Sequence, residues 1–89
     1  MKIVRWTKFK KDFKKYIKNS QTLKEFQSVI EILISEKKLA SKYKDHNLKW
    51  NYSKFRECHI KPDLLLVYEI DKWELILYLF RLWTHSEIF

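Results

Sequence analysis

Apolar residues recur along this chain at two spacings, every three to four positions in its first part and every second position later on. Ile3 and Val4, set between basic residues, predict a short first strand. Phe9, Phe13, Tyr16 and Ile17 fall on one side of a helix that Thr7 is placed to cap, and Asn19 to Gln21 make a break. Thr22 and Glu25 then form a T-x-x-E capping box. It opens a second helix whose Leu23, Phe26, Val29, Ile30 and Leu33 make an apolar stripe, ending at Glu36, Lys37 and Lys38. The two helices are expected to pack as a hairpin. Residues 39–53 carry mixed charge with no clear period and are expected to be loop. Phe55 to Ile60, Leu64 to Ile70 and Trp73 to Leu82 read as strands, and the short links Lys61-Pro62-Asp63 and Asp71-Lys72 force them into an antiparallel meander. The pattern predicts one α+β domain over residues 1–89: a first strand and a helix hairpin packed on an antiparallel sheet.

Pairing the meander sorts residues between two faces. If Asp71-Lys72 is a two-residue turn, Leu66 lies opposite Leu77; if Lys61 to Asp63 is a three-residue loop, His59 lies opposite Leu65. Cys58, Ile60, Leu64, Leu66, Tyr68, Ile70, Trp73, Leu75, Leu77 and Leu79 then share the face that helices cover. Phe55, Glu57, His59, Leu65, Val67, Glu69, Glu74, Ile76, Tyr78 and Phe80 share the other, more open one. Arg81 falls on the helix side in this register. A bulge, or the end of the strand, is needed to bring it beside His59.

With 89 residues, 46% of them hydrophobic, and with four Trp, five Tyr and six Phe, the chain has enough apolar surface for one modest core. It contains no glycine, which excludes glycine-rich phosphate loops and makes a nucleotide cofactor improbable. Asn19, Asn47, Asn51 and Asp71 are the expected occupants of left-handed positions. The lone Cys58 cannot form an internal disulfide, and no apolar run is long enough for a bilayer or a signal peptide. A soluble, cytoplasmic protein is expected.

The net charge of +8 is concentrated at one end. Residues 1–24 hold nine Lys or Arg against Asp12 alone, while the ten basic and ten acidic groups of residues 25–89 cancel. Lys8, Lys10, Lys11, Lys14, Lys15 and Lys18 crowd one helix, where like charges repel. A polyanion such as RNA would relieve that repulsion, and a merely solvated helix face is the plain alternative.

The three histidines each have chemical company: Asp45 precedes His46, Asp63 follows four residues after His59, and Arg81 precedes His85 by four. Imidazoles near a carboxylate and a guanidinium suit cleavage of RNA by its own 2'-hydroxyl, which needs a base, an acid and a cation for the phosphoryl charge. The same groups could hold a metal, but their spacing matches no ligand signature, so neither a metal nor a cofactor is expected.

Three stretches resemble the YafQ branch of the RelE-type toxins. They are Tyr43-Lys44-Asp45-His46-Asn47-Leu48-Lys49, then Phe55 through Tyr68 with its His59-Ile60-Lys61-Pro62-Asp63, and the tail Arg81-Leu82-Trp83-Thr84-His85-Ser86-Glu87-Ile88-Phe89. The likeness covers residues 40–89; the first 39 agree only in predicted layout. It implies a RelE-like fold and a messenger RNA interferase held inactive by a cognate antitoxin; members generally cut in the ribosomal A site, though some cleave free RNA. It further implies that His46, His59, Asp63, Arg81 and His85 are catalytic. His46 or Asp63 would be the base, His85 the acid, and His59 an orienting or sharing partner. Phe89 would stack on a base. Lys61 and Trp83, and on charge alone Lys10, Lys11, Lys14 and Lys15, are expected as further substrate contacts. Trp50 and Trp83 stand where the family commonly has glycine, either adding a stacking surface or narrowing the approach. The alternatives are a catalytically weak or silent RelE-fold module that binds RNA or antitoxin, and a gyrase-directed toxin of the ParE branch.

Overall fold

The structure, a computed structural model, describes residues 1–48 and 54–84. In chain order these form β1 (Lys2–Arg5), α1 (Thr7–Tyr16), α2 (Ser20–Ile34), a 3-10 turn (Ser41–Tyr43), β2 (His46–Asn47), β3 (Arg56–Lys61), β4 (Leu64–Asp71) and β5 (Ile76–Thr84). The strands make one sheet in the order β1-β5-β4-β3-β2. The sheet is mixed: β1 runs parallel to β5, and the other neighbours are antiparallel. The expected α+β meander under two helices is therefore present, with a parallel edge and a short β2 that the sequence pattern did not predict. No helix among the described residues is long and apolar enough to cross a membrane.

Helix faces follow the apolar spacing, but their caps do not follow the motifs. Trp6, not Thr7, is the N-cap of α1, and its side chain makes no cap bond. The cap of α2 is Asn19, whose Oδ1 accepts from Thr22 N at 2.8 Å, three residues before the expected box. Thr22 is only 2% exposed, and its hydroxyl faces the Lys61 ammonium across to β3. At the other end of α2, Glu36 N donates to Leu33 O and Lys37 N to Ile32 O, with Glu36 at φ 58. Paired bonds of this kind close a helix and call for a left-handed residue, most often glycine. Lys44 and Leu75 are the other residues of positive φ among the described residues. The expected Asn19, Asn47 and Asp71 are therefore not the left-handed residues; hydrogen-bonded turns impose that geometry on Glu36 and Lys44 instead, and Asn51 lies outside the described residues. Because a side chain with Cβ resists this conformation, Glu36→Gly is expected to stabilise the protein by about 0.5–1 kcal/mol. Thermal unfolding should shift upward by a few degrees, and an unchanged midpoint would count against strain at this position.

The core lies between the helices and one face of the sheet. Phe9, Phe26, Val29 and Leu33 meet Cys58, Ile60, Leu64, Leu66, Tyr68, Leu77, Leu79 and Leu82 there. The rings of Phe9 and Phe13 pack on Phe26 and join the two helices, so the hairpin expectation holds at its aromatic seam. Burial also pushes the Cys58 thiol far up from its ordinary range, with the Asp45 and Glu57 charges adding to the effect. It is an inert core group.

Register departs from expectation in an instructive way. His59 faces Leu65 as predicted, but Leu77 pairs with Ile70 and Leu66 with Leu82. The β4–β5 link runs from Lys72 to Leu75 because Asp71 Oδ1 accepts from both Trp73 N and Glu74 N at 3.0 Å, which holds a longer turn. Trp73, 96% exposed, and the exposed Leu75 therefore belong to that turn and not to the helix-covered face. The slip spans four residues, an even number of pleats, so most other face assignments survive it. One does not. Val67 pairs with Arg81 while Tyr68 pairs with Leu79, so Phe80 is an extra residue in β5. Leu79 and Leu82 remain in the helix-side core, and the bulge turns both Phe80 and Arg81 toward the second face.

Candidate active site

The second face of the sheet has an apolar floor. Leu65, Val67 and Phe80 are buried outside the helix-side core. Around Phe80 the ring of Trp6 packs edge-on at 4.3 Å, Phe55 at 4.6 Å and Tyr78 stacked at 5.9 Å. A cavity of about 450 Å³ opens here, walled by Trp6, Leu48, Phe55, Val67, Phe80 and Trp83 and rimmed by the cations Lys8 and Arg81.

Two cross-strand rows place the polar groups on this face. His46, Glu57, Val67 and Arg81 are successive partners across β2, β3, β4 and β5. One pleat along, His59, Leu65 and Trp83 form the next row. At about 4.8 Å between strands and about 3.3 Å per residue along them, the backbones of His59 and Arg81 stand about 12 Å apart and those of His46 and Arg81 about 14 Å. His46 and Glu57 thus form a pair at the β2–β3 edge, and His59 stands one pleat farther along β3. Arg81 faces the pair across the floor of β4.

His46 is aimed by the segment that precedes it. Lys44, left-handed at φ 48, turns the chain out of the 3-10 turn, and its carbonyl lies 2.7 Å from His46 Nδ1. His46 Nε2 lies 3.3 Å from Glu57 Oε1, with the imidazole half exposed and the carboxylate largely buried. Both ring nitrogens face acceptors; a neutral ring satisfies one of them and a protonated ring both. Asp45, the neighbour of His46, points to the opposite face. It takes a two-toothed contact from Arg56, at 3.2 Å from Nε and 2.7 Å from Nη2, and accepts a further bond from the Tyr68 hydroxyl. Burial, followed by the Asp45 contact, pushes the Tyr68 phenol far up, and the Asp45 bond raises the Arg56 guanidinium above its usual value. The Tyr68 hydroxyl therefore stays a donor and Arg56 a cation. Together they pin the strand that carries His46.

Arg81 is anchored from α1. The Asp12 carboxylate, 8% exposed, accepts from Arg81 Nε at 2.7 Å and Nη2 at 3.2 Å, and from Leu82 N at 3.0 Å. The guanidinium also lies over the Trp83 ring, 4.8 Å from its centre.

The remaining expected site residues are dispersed. His59 Nδ1 lies 3.3 Å from Pro62 O, and His59 shares a cavity of about 460 Å³ with Lys42, Lys44 and Lys61. Asp63 is exposed in the β3–β4 turn. Lys10, Lys11, Lys14 and Lys15 are all exposed on α1. Lys10 and Lys14 border a shallow groove with Arg5, Phe9 and Phe13, and Lys8 is the α1 lysine at the second-face cavity. His85, Phe89 and Trp50 lie outside the described residues. Glu57, Asp12 and the aromatic wall of Trp6, Phe55 and Phe80 were not among the expected site residues. Glu57 already shared a face with His59 in the strand pattern, but its partner arrives on β2.

The chain matches, over residues 1–89, a family model described as the bacterial toxin of type II toxin-antitoxin system, YafQ. It is 31% identical over 83 residues to a protein of Escherichia coli strain B / BL21-DE3 named mRNA interferase toxin YafQ, covering 91% of this chain and 87% of that one. Among solved structures, a metal-bound toxin from Helicobacter pylori is 52% identical with a TM-score of 0.89, covering 100% of this chain and 99% of that one. A chain of the Escherichia coli DinJ-YafQ complex is 28% identical with a TM-score of 0.85, covering 98% and 96%.

Proposed function

Because this chain belongs to the YafQ family of bacterial toxins from type II toxin-antitoxin systems, we propose that it is an mRNA interferase, an endoribonuclease that attacks RNA through the ribose 2'-hydroxyl. The observation that carries this reading is the His46–Glu57 pair at the β2–β3 edge, set across an apolar floor from Arg81, with His59 one pleat along β3. In the proposed reaction the RNA strand crosses the second face with the scissile phosphate above Leu65 and Val67. The His46–Glu57 pair takes the proton of the 2'-hydroxyl. The 2'-oxygen bonds to phosphorus, the bond from phosphorus to the 5'-oxygen breaks, and a second imidazole returns a proton to the departing oxygen. His85, seconded by His59, is assigned that acid role on the family pattern. Arg81 stabilises the charge gathering on the phosphoryl oxygens. The products are a 2',3'-cyclic phosphate and a 5'-hydroxyl.

Substrate contacts follow the aromatic wall. Trp83 supplies a ring beside Arg81 and a buried indole N–H with no acceptor among the described residues; Phe89 is assigned a stacking role on the family pattern. Bases stack on such rings in single-stranded RNA. Asp63 and Lys61, at the turn below His59, are read as neighbours of the same phosphate. Of α1, Lys10, Lys11, Lys14 and Lys15 are read as contacts to ribosomal or messenger RNA. Replacing these four with Gln is expected to flatten the dependence of log affinity on log salt by about 0.7 for each lysine in contact. Filter binding to ribosomes between low and moderate salt checks this, and an unchanged slope would remove the helix as a contact surface.

The scheme uses side-chain proton transfer alone. The Helicobacter pylori relative was solved metal-bound, but among the described residues no group of three His, Cys, Asp or Glu is placed to hold a metal ion. Cleavage is expected to continue in excess chelator, and its loss there would overturn the scheme. The DinJ-YafQ complex supports a cognate antitoxin as the partner that silences this chain in the cytoplasm. Primer extension on transcripts after brief induction tests the function as a whole. New 5' ends within coding sequences, concentrated in translated messages, are expected; growth arrest without new ends would leave only a binding module.

A further inference from the structure

We infer that Asp12, the only acidic residue in the first 24, is a positioning residue for Arg81 in RNA cleavage. This rests on the proposed reading of Arg81 as the phosphate-facing cation. Three observations meet at the Asp12 carboxylate. The first is the Phe80 bulge, which throws Arg81 onto the second face. The second is the end of β1: the last bond from this side is Trp6 N to Leu79 O at 3.0 Å, after which the chain leaves into α1 and β5 loses its neighbour strand. Leu82 N would face that gap unpaired, and Asp12 Oδ2 fills it at 3.0 Å. The third is the fork of Arg81 itself, whose Nε and Nη2 both bond Asp12.

The consequence is directional. A guanidinium held by two of its nitrogens cannot rotate about its long side chain. Its Nη1 edge, which has no hydrogen-bond partner among the described residues, is left for the cavity that Arg81 shares with Val67. The Trp83 ring lies against the guanidinium, 4.8 Å from its carbon to the ring centre, and adds a further contact that holds it in place. Asp12 sits in the interior of α1, so the helix and not the strand sets where the positive charge stands. A lone acid amid the α1 lysines is thereby explained: its carboxylate is turned inward, away from any polyanion those lysines meet.

The test is a cycle of Asp12→Asn, Arg81→Gln and the double variant. It is read by single-turnover cleavage of a short synthetic mRNA set in the A site of purified bacterial ribosomes. Asn keeps an oxygen for Leu82 N but loses the charge and one tooth of the fork. Asp12→Asn is expected to slow the cleavage step roughly 10- to 100-fold, as misplacement of a group does, with half-saturation changed little. Asp12→Glu should recover part of the loss. In the Arg81→Gln background the Asp12 change should cost nothing further. Independent, multiplying losses would overturn the inference and leave Asp12 as a fold element. Should Asp12→Asn prove unstable, the Arg81 Nε–H resonance at low temperature decides: a shifted, faster-exchanging signal in the variant supports the fork, and an unmoved one overturns it. Full cleavage by Arg81→Gln alone would instead sink the prior reading of Arg81, an outcome distinct from a failed cycle.

Discussion

A His46→Ala protein is expected to cleave mRNA roughly 10²- to 10⁴-fold more slowly than the parent chain, the usual worth of a positioned proton carrier. The side chain is half exposed and outside the helix-side core, so its removal should leave folding intact. The Asp45, Arg56 and Tyr68 bonds that hold this segment do not involve the imidazole. His59→Ala should also lose activity, but less if His59 orients or shares a role. Glu57→Gln separates pair from partner. With the carboxylate replaced by an amide, His46 Nε2 loses its charged acceptor, and the rate should fall while RNA binding holds. Parental rates from His46→Ala in a folded protein would remove the β2–β3 pair from the chemistry.

Arg81→Gln carries the second large effect. Loss of a cation aimed at developing phosphoryl charge is expected to lower the cleavage rate roughly 10²- to 10³-fold. Arg81→Lys should rescue little, since an ammonium cannot reproduce the two-toothed contact with Asp12 or lie flat over Trp83. Stability falls too in this case. Asp12 is largely buried and, among the described residues, keeps only Leu82 N as donor, which should cost about 1–3 kcal/mol. Rates must therefore be compared well below each variant's own unfolding midpoint. A Gln variant that is destabilised yet cleaves at the parental rate would make Arg81 a structural residue only.

The apolar spacing was enough to find both helices, the three long strands and the division of most strand residues between the two faces. That division survived a wrong turn length because a four-residue slip preserves the direction of every side chain. The side taken by Arg81 was not legible in the same way. It depends on Phe80, whose ring finds Trp6 and Phe55 on distant segments and draws an extra residue into β5. The caps failed for a related reason: Thr22 looks like a cap in isolation, but its hydroxyl is buried against Lys61 and Asn19 takes the role. Positive φ fell on Glu36 and Lys44 because backbone bonds around a helix end and a 3-10 turn dictate the geometry, whatever residue stands there. The histidines were visible as candidates. Glu57 as a partner was not, since β2 is two residues long and has no periodicity to read. Asp12 was noted only as an exception in a basic stretch, and its meaning appears once α1 lies beside β5.

The measurement that bears most directly on the central claim is the chemistry of the cut ends. Purified protein, given a defined message on ribosomes, should leave a 2',3'-cyclic phosphate upstream and a 5'-hydroxyl downstream, and a single 2'-deoxy nucleotide at the cut position should stop the reaction. Fragments ending in a 3'-hydroxyl and a 5'-phosphate, or undiminished cutting of the deoxy-substituted message, would contradict it.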